Sequence, residues 1–231
     1  FAFSSVKTIE RMGRGKVILL DLNFNIVLQN WDYLFQGAIL TVQVSAVSVL
    51  MGLILGSIFG LARISTVPVL RTVSSAYVEF IRGTPLLVQI LIIYFGLPSL
   101  GITIQSKFLA GAIALSVNSG AYVAEIVRSG IQSIDKGQME AARSLGMNNL
   151  RAMRFIILPQ AFRRIIPPLV NEFIMLIKDS SLLAVIGTME LTKRAQNIQA
   201  RTFDYFELYF AIAIVYFLMT FTLSKVAGYV E

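Results

Sequence analysis

Residues 37–62 read GAILTVQVSAVSVLMGLILGSIFGLA, a stretch of 26 positions without a charged side chain. As an α-helix this stretch would be about 39 Å long, which exceeds the roughly 30 Å hydrocarbon core of a bilayer and predicts a tilted membrane-spanning helix. Gly52, Gly56 and Gly60 recur every four residues, so they share one helical face. Small residues at this spacing let a second helix approach closely in lipid. The stretch therefore predicts a helical membrane protein in which this helix packs tightly against another.

The rest of the 231-residue chain has the same apolar character, with 56% hydrophobic and only 14% charged residues. Soluble domains carry about 25% charged residues. Gly83-Thr84-Pro85 predicts a break or kink in the second apolar stretch, and Pro167-Pro168 predicts an interruption of the fourth. The expected fold class is an all-α polytopic membrane protein with five membrane-spanning helices, in residues 37–62, 74–97, 108–127, 165–189 and 205–224.

The charges restrict both topology and function. A net charge of +7 on a soluble protein would suggest nucleic acid, but here the basic residues lie between apolar stretches, so no nucleic-acid partner is expected. The segment 128–164 contains seven basic residues, and Arg63 and Arg71 lie on the same side, which predicts a cytoplasmic location for both. The N-terminus is then outside and the C-terminus cytoplasmic. Three basic residues conflict with this assignment: Lys193, Arg194 and Arg201.

The chain contains neither histidine nor cysteine. Disulfides, imidazole metal sites and Ser-His-Asp triads are therefore excluded, and we expect no catalytic and no metal-binding residues. A phosphate-binding loop of the G-x-x-x-x-G-K-[ST] type is also missing from the sequence, so the chain does not itself bind ATP through such a loop. The sequence thus predicts a protein that is not an enzyme on its own and that has no cofactor.

A polar stretch between the third and fourth apolar stretches predicts two short helices. Asp135 is a typical helix N-cap, residues 138–145 favour a helix, and Gly146 suits the left-handed position that ends one. Asn148 can start a second helix that is expected to stop near Pro159. We call residues 138–158 the elbow. Because membrane helices anchor it at both ends, the elbow could transmit force.

The spacing of several residues resembles a known motif. Glu140-Ala141-Ala142, Gly146, Ile156 and Leu158-Pro159 match the EAA motif of binding-protein-dependent ABC importer permeases. Three other stretches resemble the polar amino-acid branch of that family, the histidine, arginine and glutamine permeases: Arg82–Leu87, Ala121–Gly130 and Asn171–Leu182. The resemblance covers roughly residues 34–229.

The resemblance implies a type I ABC importer fold with a five-helix core in the bacterial cytoplasmic membrane. It implies two cytoplasmic ATPase subunits that bind ATP and Mg²⁺ and grip the elbow, which acts as a coupling helix. It also implies a second permease copy or paralogue, and an external amino-acid-binding protein or fused domain. Residues 1–33 lie outside the match and are expected to be a tail or linker. Residues 34–231 would form the transmembrane permease domain, with the cytoplasmic coupling segment at 128–164.

The residues expected to matter fall into two groups. Contact with the ATPase is assigned to five residues of the elbow, because the full motif is present, and the alternative for its charged pair is a solvated helix face: Glu140, Ala141, Ala142, Arg143 and Gly146. Polar groups inside the apolar stretches either line an amino-acid pathway, with a carboxylate for the substrate ammonium, or bond helices to one another: Asn118, Ser119, Tyr122, Asn171 and Glu172. Glu125 and Arg128, three residues apart, predict an ion pair at a helix end.

Two other functions compete with the importer. An ion-coupled carrier would use Glu172 or Asp179 as a relay and would not need the elbow. A membrane-embedded enzyme would be restricted to carboxylate chemistry, because histidine and cysteine are missing. The elbow favours the ATP-driven importer, and the sequence leaves open which amino acid is carried and whether two identical permeases pair.

Overall fold

A β-hairpin precedes a bundle of helices. A computed structural model describes residues 6–12 and 16–228, with side chains from residue 22 onward. Strands β1 (Val6–Met12) and β2 (Lys16–Leu22) pair antiparallel. The described residues then form ten α-helices: α1 (Asn25–Gln29), α2 (Trp31–Arg63), α3 (Pro68–Arg82), α4 (Leu86–Leu91), α5 (Lys107–Gln132), α6 (Lys136–Ser144), α7 (Asn149–Ala152), α8 (Leu158–Asp179), α9 (Leu191–Thr202) and α10 (Tyr205–Gly228). Tighter or wider helical turns occupy Ile92–Gly96, Leu97–Leu100, Met153–Ile157 and Ser180–Ile186.

The hairpin belongs to the segment predicted as a tail or linker, residues 1–33, of which 1–5 and 13–15 lie outside the described residues. The sequence analysis predicted no strand in this segment. The backbone N–H of Asn23 donates to Oε1 of Glu207 at 2.9 Å, and the ring of Phe24 packs edge-on against Phe210. The chain that leaves the hairpin is therefore fixed to the first turn of α10. From residue 34 to residue 228 the described chain is helices and their connections, so the all-α class is confirmed for that part.

Helices α2 and α5 form the centre of the bundle. The glycine stripe on α2 faces α5, as its spacing predicted. A Cβ atom at Gly56 would lie 2.4 Å from the side chain of Val123, and one at Gly60 would lie 2.9 Å from that of Val127. Carbon atoms normally approach to about 3.5–4.0 Å, so only glycine allows this helix separation. The glycines thereby set how closely α5 and its polar residues lie to α2.

Three of the described helices are long and apolar enough to cross a membrane: α2, α5 and α10. A fourth candidate is the bent pair Pro68–Arg82 and Leu86–Leu100. Helix α8 has 22 residues, about 33 Å, but its charged residues keep it out of this set. The predicted number of five spans therefore stays a prediction, because α8 is long enough but not uniformly apolar.

One of the two predicted breaks is present and the other is not. The chain bends by 104° at Gly83-Thr84-Pro85, as predicted. The interruption predicted at Pro167-Pro168 is wrong, because α8 runs through both prolines without a break. The N–H groups missing at these positions would have bonded the carbonyls of Arg163 and Arg164, whose residues are exposed. The cost of losing these two bonds is small where water can replace them.

The elbow begins as predicted and ends differently. Oδ1 of Asp135 accepts the backbone N–H two residues on at 2.7 Å, and Asn148 caps α7 in the same manner. Gly146 has φ +84°, the left-handed position between the two helices. The predicted stop near Pro159 is wrong, because Met153–Ile157 leads without a break into α8. Pro159 is the second residue of α8 and directly follows the wider turn Met153–Ile157, where the regular hydrogen-bond pattern of the helix is already altered.

Candidate functional site

The buried carboxyl group of α8 faces α5 inside the bundle. Glu172 is 9% exposed, and the side chain of Ser119 on α5 is directed toward it. The Ser119 hydroxyl is itself buried, and it faces the Glu172 carboxyl group. Gly52 of α2 lies directly behind it, since a Cβ there would approach the Ser119 side chain to 3.0 Å. Two predicted pathway residues, Ser119 and Glu172, are thus brought together inside the bundle.

Asn118 bonds the helix break rather than the buried carboxyl group. Its Nδ2 donates to Oε1 of Gln89 at 3.0 Å. Nε2 of Gln89 in turn donates to the carbonyl of Ile81 at 2.7 Å and to the hydroxyl of Thr84 at 2.9 Å. Gln89 therefore satisfies backbone groups that the break after α3 leaves without helical partners, as is required inside a membrane.

The sequence analysis missed Gln89, which is 6% exposed. A signal was available, because a glutamine follows the break by one helical turn in an otherwise apolar run, Leu86–Gly96. Its amide stabilises the 104° bend that brings α4 against α5.

Glu125 forms ion pairs with three arginines from three helices. The expected pair with Arg128 is present, and Arg63 of α2 also contacts the same carboxylate. Arg82 of α3 lies 3.8 Å from it and stacks over the ring of Tyr122, with the guanidinium carbon 5.3 Å from the ring centre. Tyr122 is thus connected to the end of α3, next to the helix break.

The remaining predicted pathway residue lies elsewhere. Asn171 is exposed and does not share the inward face of Glu172, its neighbour on α8. The adjacent charges Lys178 and Asp179 could pair within α8, but Lys178 is exposed, and the ion pairs found among the described residues all involve Glu125. Of the five predicted pathway residues, the structure therefore places Ser119 beside Glu172, connects Asn118 and Tyr122 to the helix break, and leaves Asn171 on the surface.

The elbow presents four of its five predicted coupling residues to the surface. Glu140, Ala141, Arg143 and Gly146 are exposed. Ala142 is 4% exposed, because α6 packs this side against the segment Met153–Ile157 of the elbow itself. The small side chain of Ala142 therefore allows α6 to pack closely against another part of the elbow, not against a partner protein. The roles of all five residues in coupling stay predictions.

Two leucines at the tip of the elbow were missed by the sequence analysis. Leu145 is 84% exposed and Leu150 is 79% exposed. They flank the turn at Gly146. The signal was their apolar character within a polar segment. They therefore present apolar surface at the end of an otherwise polar segment.

A buried glutamate caps the N-terminus of α9 and connects this helix to α10. Glu190 caps α9 and accepts hydrogen bonds from the N–H groups of Thr192 and Lys193 and from the hydroxyl of Tyr216 at 2.7–2.8 Å. Burial raises the pKa of the Glu190 carboxyl group, while these hydrogen bonds oppose that change. The sequence analysis did not single out Glu190. Its position one residue before an amphipathic run was the available signal for a helix cap.

Arg194 has a structural role in the same region. Its guanidinium donates to the carbonyl of Tyr33 at 3.1 Å and to Oε1 of Gln36 at 3.0 Å, and it lies 4.5 Å from the centre of the Tyr33 ring. One of the three basic residues that conflicted with the predicted topology therefore binds α9 to α2. Within residues 22–228, whose side chains the structure describes, no group of three or more acidic side chains is arranged to hold a metal ion.

Known proteins are similar to this chain in sequence and in fold. Residues 29–231 match the family described as the binding-protein-dependent transport system inner membrane component. The arginine transport system permease protein ArtQ of Bacillus subtilis is 39% identical over 213 residues, which cover 92% of this chain and 97% of the relative. The putative glutamine transport system permease protein GlnP of Rickettsia bellii is 41% identical over 199 residues, covering 86% and 91%.

Two solved structures are similar to this chain in fold and belong to the same kind of transporter, the ABC transporters. An amino acid ABC transporter crystallised with histidines has a TM-score of 0.88 and 45% identity, over 92% of this chain and 99% of that one. The inward-facing MetNI methionine ABC transporter has a TM-score of 0.71 at 20% identity, over 88% and 98% of the two chains, and shares the fold. The family predicted from the EAA motif is confirmed. This chain belongs to the inner membrane components of binding-protein-dependent ABC transport systems.

Proposed function

We propose that this chain forms the translocation pathway of an ATP-driven importer for polar amino acids such as glutamine, glutamate, arginine or histidine. The names of the arginine and glutamine relatives, and the transporter crystallised with histidines, support this substrate class. The observation that carries the proposal is the buried carboxyl group of Glu172, which faces the buried Ser119 hydroxyl of α5. A carboxylate and a hydroxyl at this depth can accept hydrogen bonds from a substrate ammonium, which costs less than leaving either group without a partner.

The elbow supplies the connection to the energy source. Two cytoplasmic ATPase subunits bind ATP and Mg²⁺ and contact the exposed side of α6 through Glu140, Ala141 and Arg143. Leu145 and Leu150 then enter an apolar groove on the ATPase. Closure of the ATPase subunits moves the elbow, and since Met153–Ile157 continues into α8, the movement reaches the helix that carries Glu172. A nucleotide shifts the pathway outward only if the elbow is held differently in the two states.

The distribution of basic residues supports the orientation. Arg194 and the rest of α9 contact the first turns of α2, whereas the elbow lies near the other end of that helix, at Arg63. The elbow end carries nine basic residues against three on α9: Arg63, Arg71, Arg128, Lys136, Arg143, Arg151, Arg154, Arg163 and Arg164 against Lys193, Arg194 and Arg201. By the positive-inside rule the elbow is cytoplasmic, the N-terminus outside and the C-terminus inside.

Two further partners complete the importer. An external amino-acid-binding protein, separate or fused, docks at the α9 end and releases substrate there. A second permease copy or a paralogue supplies the other half of the pathway. The large exposed apolar side chains of α10, among them Phe217 and Leu218, are available for lipid or for this second permease.

The substitution Glu172→Gln tests the proposal in vesicles that contain the permease with its ATPase. A hydrogen bond to a charged group contributes about 1.5–3 kcal/mol, so we expect amino-acid affinity to fall by about 10–150-fold. Glu79→Gln is the matched control, because Glu79 is an exposed glutamate on α3 and uptake should be unchanged. Wild-type uptake by Glu172→Gln would remove the proposed site. Uptake driven by an ion gradient without ATP would instead favour a carrier.

A further inference from the structure

A cleft with basic walls lies beside the base of the elbow. It is bounded by the link between α2 and α3 on one side and by the start of α6 on the other, and it has a volume of about 660 Å³. Small-molecule sites typically have about 300–1,000 Å³. Its floor is apolar, with Ile131, Ile134 and Ile157 each no more than 7% exposed. The cleft is therefore large enough for a lipid headgroup and has an apolar base.

The charges around the cleft are unbalanced. Three basic residues, Arg63, Arg71 and Lys136, and a single acidic residue, Asp135, line it, so the lining carries a net charge of 3 − 1 = +2. Arg63 is already paired with Glu125. The Asp135 side chain is engaged by the backbone N–H at the start of α6. Arg71 and Lys136 are both exposed, and neither forms an ion pair with any side chain in the described part of the chain.

The outer wall of the cleft continues into an apolar surface. Val69, Leu70 and Val73 lie within one turn of Arg71 on α3 and are 69%, 51% and 59% exposed. A basic side chain next to exposed aliphatic side chains on a membrane protein is typical of the boundary between lipid headgroups and acyl chains. The cytoplasmic leaflet carries anionic lipids, and basic pockets at this boundary bind their headgroups.

We propose that this cleft binds the phosphate of an anionic phospholipid, with Arg71 and Lys136 as its ligands. The guanidinium of Arg71 provides paired donors for two phosphate oxygens, and the ammonium of Lys136 provides a point charge. The acyl chains lie along the exposed aliphatic side chains of α3. Because Arg71 belongs to α3 and Lys136 begins α6, one bound lipid connects the membrane surface to the base of the elbow.

The experiment measures retention of fluorescent phosphatidylglycerol by the purified permease–ATPase complex in detergent, with phosphatidylcholine as the neutral lipid. In the double variant Arg71→Gln/Lys136→Gln, we expect phosphatidylglycerol to bind about 30-fold more weakly, equivalent to about 2 kcal/mol at about 1 kcal/mol per basic residue. The matched control is Arg163→Gln/Lys225→Gln, which removes two exposed charges that lie outside both the cleft and the elbow. The control should bind phosphatidylglycerol as the wild type does.

Three results would overturn the proposal. The control could lose as much binding as the cleft variant, the cleft variant could bind normally, or the wild-type complex could fail to prefer phosphatidylglycerol over phosphatidylcholine. Inorganic phosphate is added in a separate arm, and full displacement of the lipid by millimolar phosphate would identify a soluble anion as the occupant instead. The readout is lipid binding rather than uptake, so its failure would leave the proposed transport function standing.

Discussion

Truncation of Leu145, one of the two leucines at the tip of the elbow, tests how the permease binds its ATPase. Leu145 is 84% exposed in the isolated chain and Leu150 is 79% exposed. Full burial of a leucine side chain contributes about 1.5–3 kcal/mol, so the exposed part of Leu145 has about 1.3–2.5 kcal/mol to gain on a partner. The substitution Leu145→Ala removes most of that contribution. We expect the permease–ATPase dissociation constant to rise by up to about 10–70-fold.

The assay is titration of the detergent-solubilised permease with its purified ATPase subunit, combined with the unfolding temperature of each variant. Because Leu145 contacts solvent in the free permease, the unfolding temperature should not change. Leu100→Ala is the matched control, since Leu100 is 76% exposed but lies just before α5, away from the elbow. Normal ATPase affinity in Leu145→Ala, or an equal loss in Leu100→Ala, would refute the idea that the elbow docks through its tip.

Three further substitutions separate packing, backbone and polar contributions. Gly56→Ala places a Cβ 2.4 Å from the neighbouring helix and should cost about 1–3 kcal/mol, seen as a lower unfolding temperature. Gly96→Ala, whose nearest atom would be 3.6 Å away, should have no such effect, and equal unfolding temperatures would contradict the packing argument. Gly146→Ala meets no atom within 4 Å but must hold φ near +84°, which costs about 1–2 kcal/mol. ATP-driven uptake should fall in this variant and less so in Gly146→Asn, and the reverse order would exclude the left-handed turn as the cause. Gln89→Leu leaves the carbonyls at the helix break without their donor, at about 1–3 kcal/mol, so both unfolding temperature and uptake should fall. Wild-type values for both would show that the bend does not need the amide.

The predictions that the structure confirms depend on neighbours along the chain. Asp135 caps a helix because its carboxylate reaches an N–H two residues away, and Gly146 ends that helix because only glycine enters the left-handed region without strain. The glycine stripe of α2 likewise follows from helical periodicity. The EAA motif identified the family for a similar reason, since it is a fixed spacing within one short segment.

What was missed or wrong depends on groups far apart in the chain. Local rules for proline predicted a break in α8 and a stop at Pro159, yet the helix continues where the freed carbonyls face solvent or where a wider helical turn precedes the proline. Gln89 is held in place because Asn118 on another helix donates a hydrogen bond to its side-chain oxygen, and Ala142 is buried only because the elbow folds back on it. The sequence by itself therefore determined the glycine face on which α2 packs, the turn of the elbow and the family. Only the tertiary structure decided which polar groups meet inside the bundle and which leucines project from it, because burial and hydrogen bonding depend on distances between helices that no local pattern encodes.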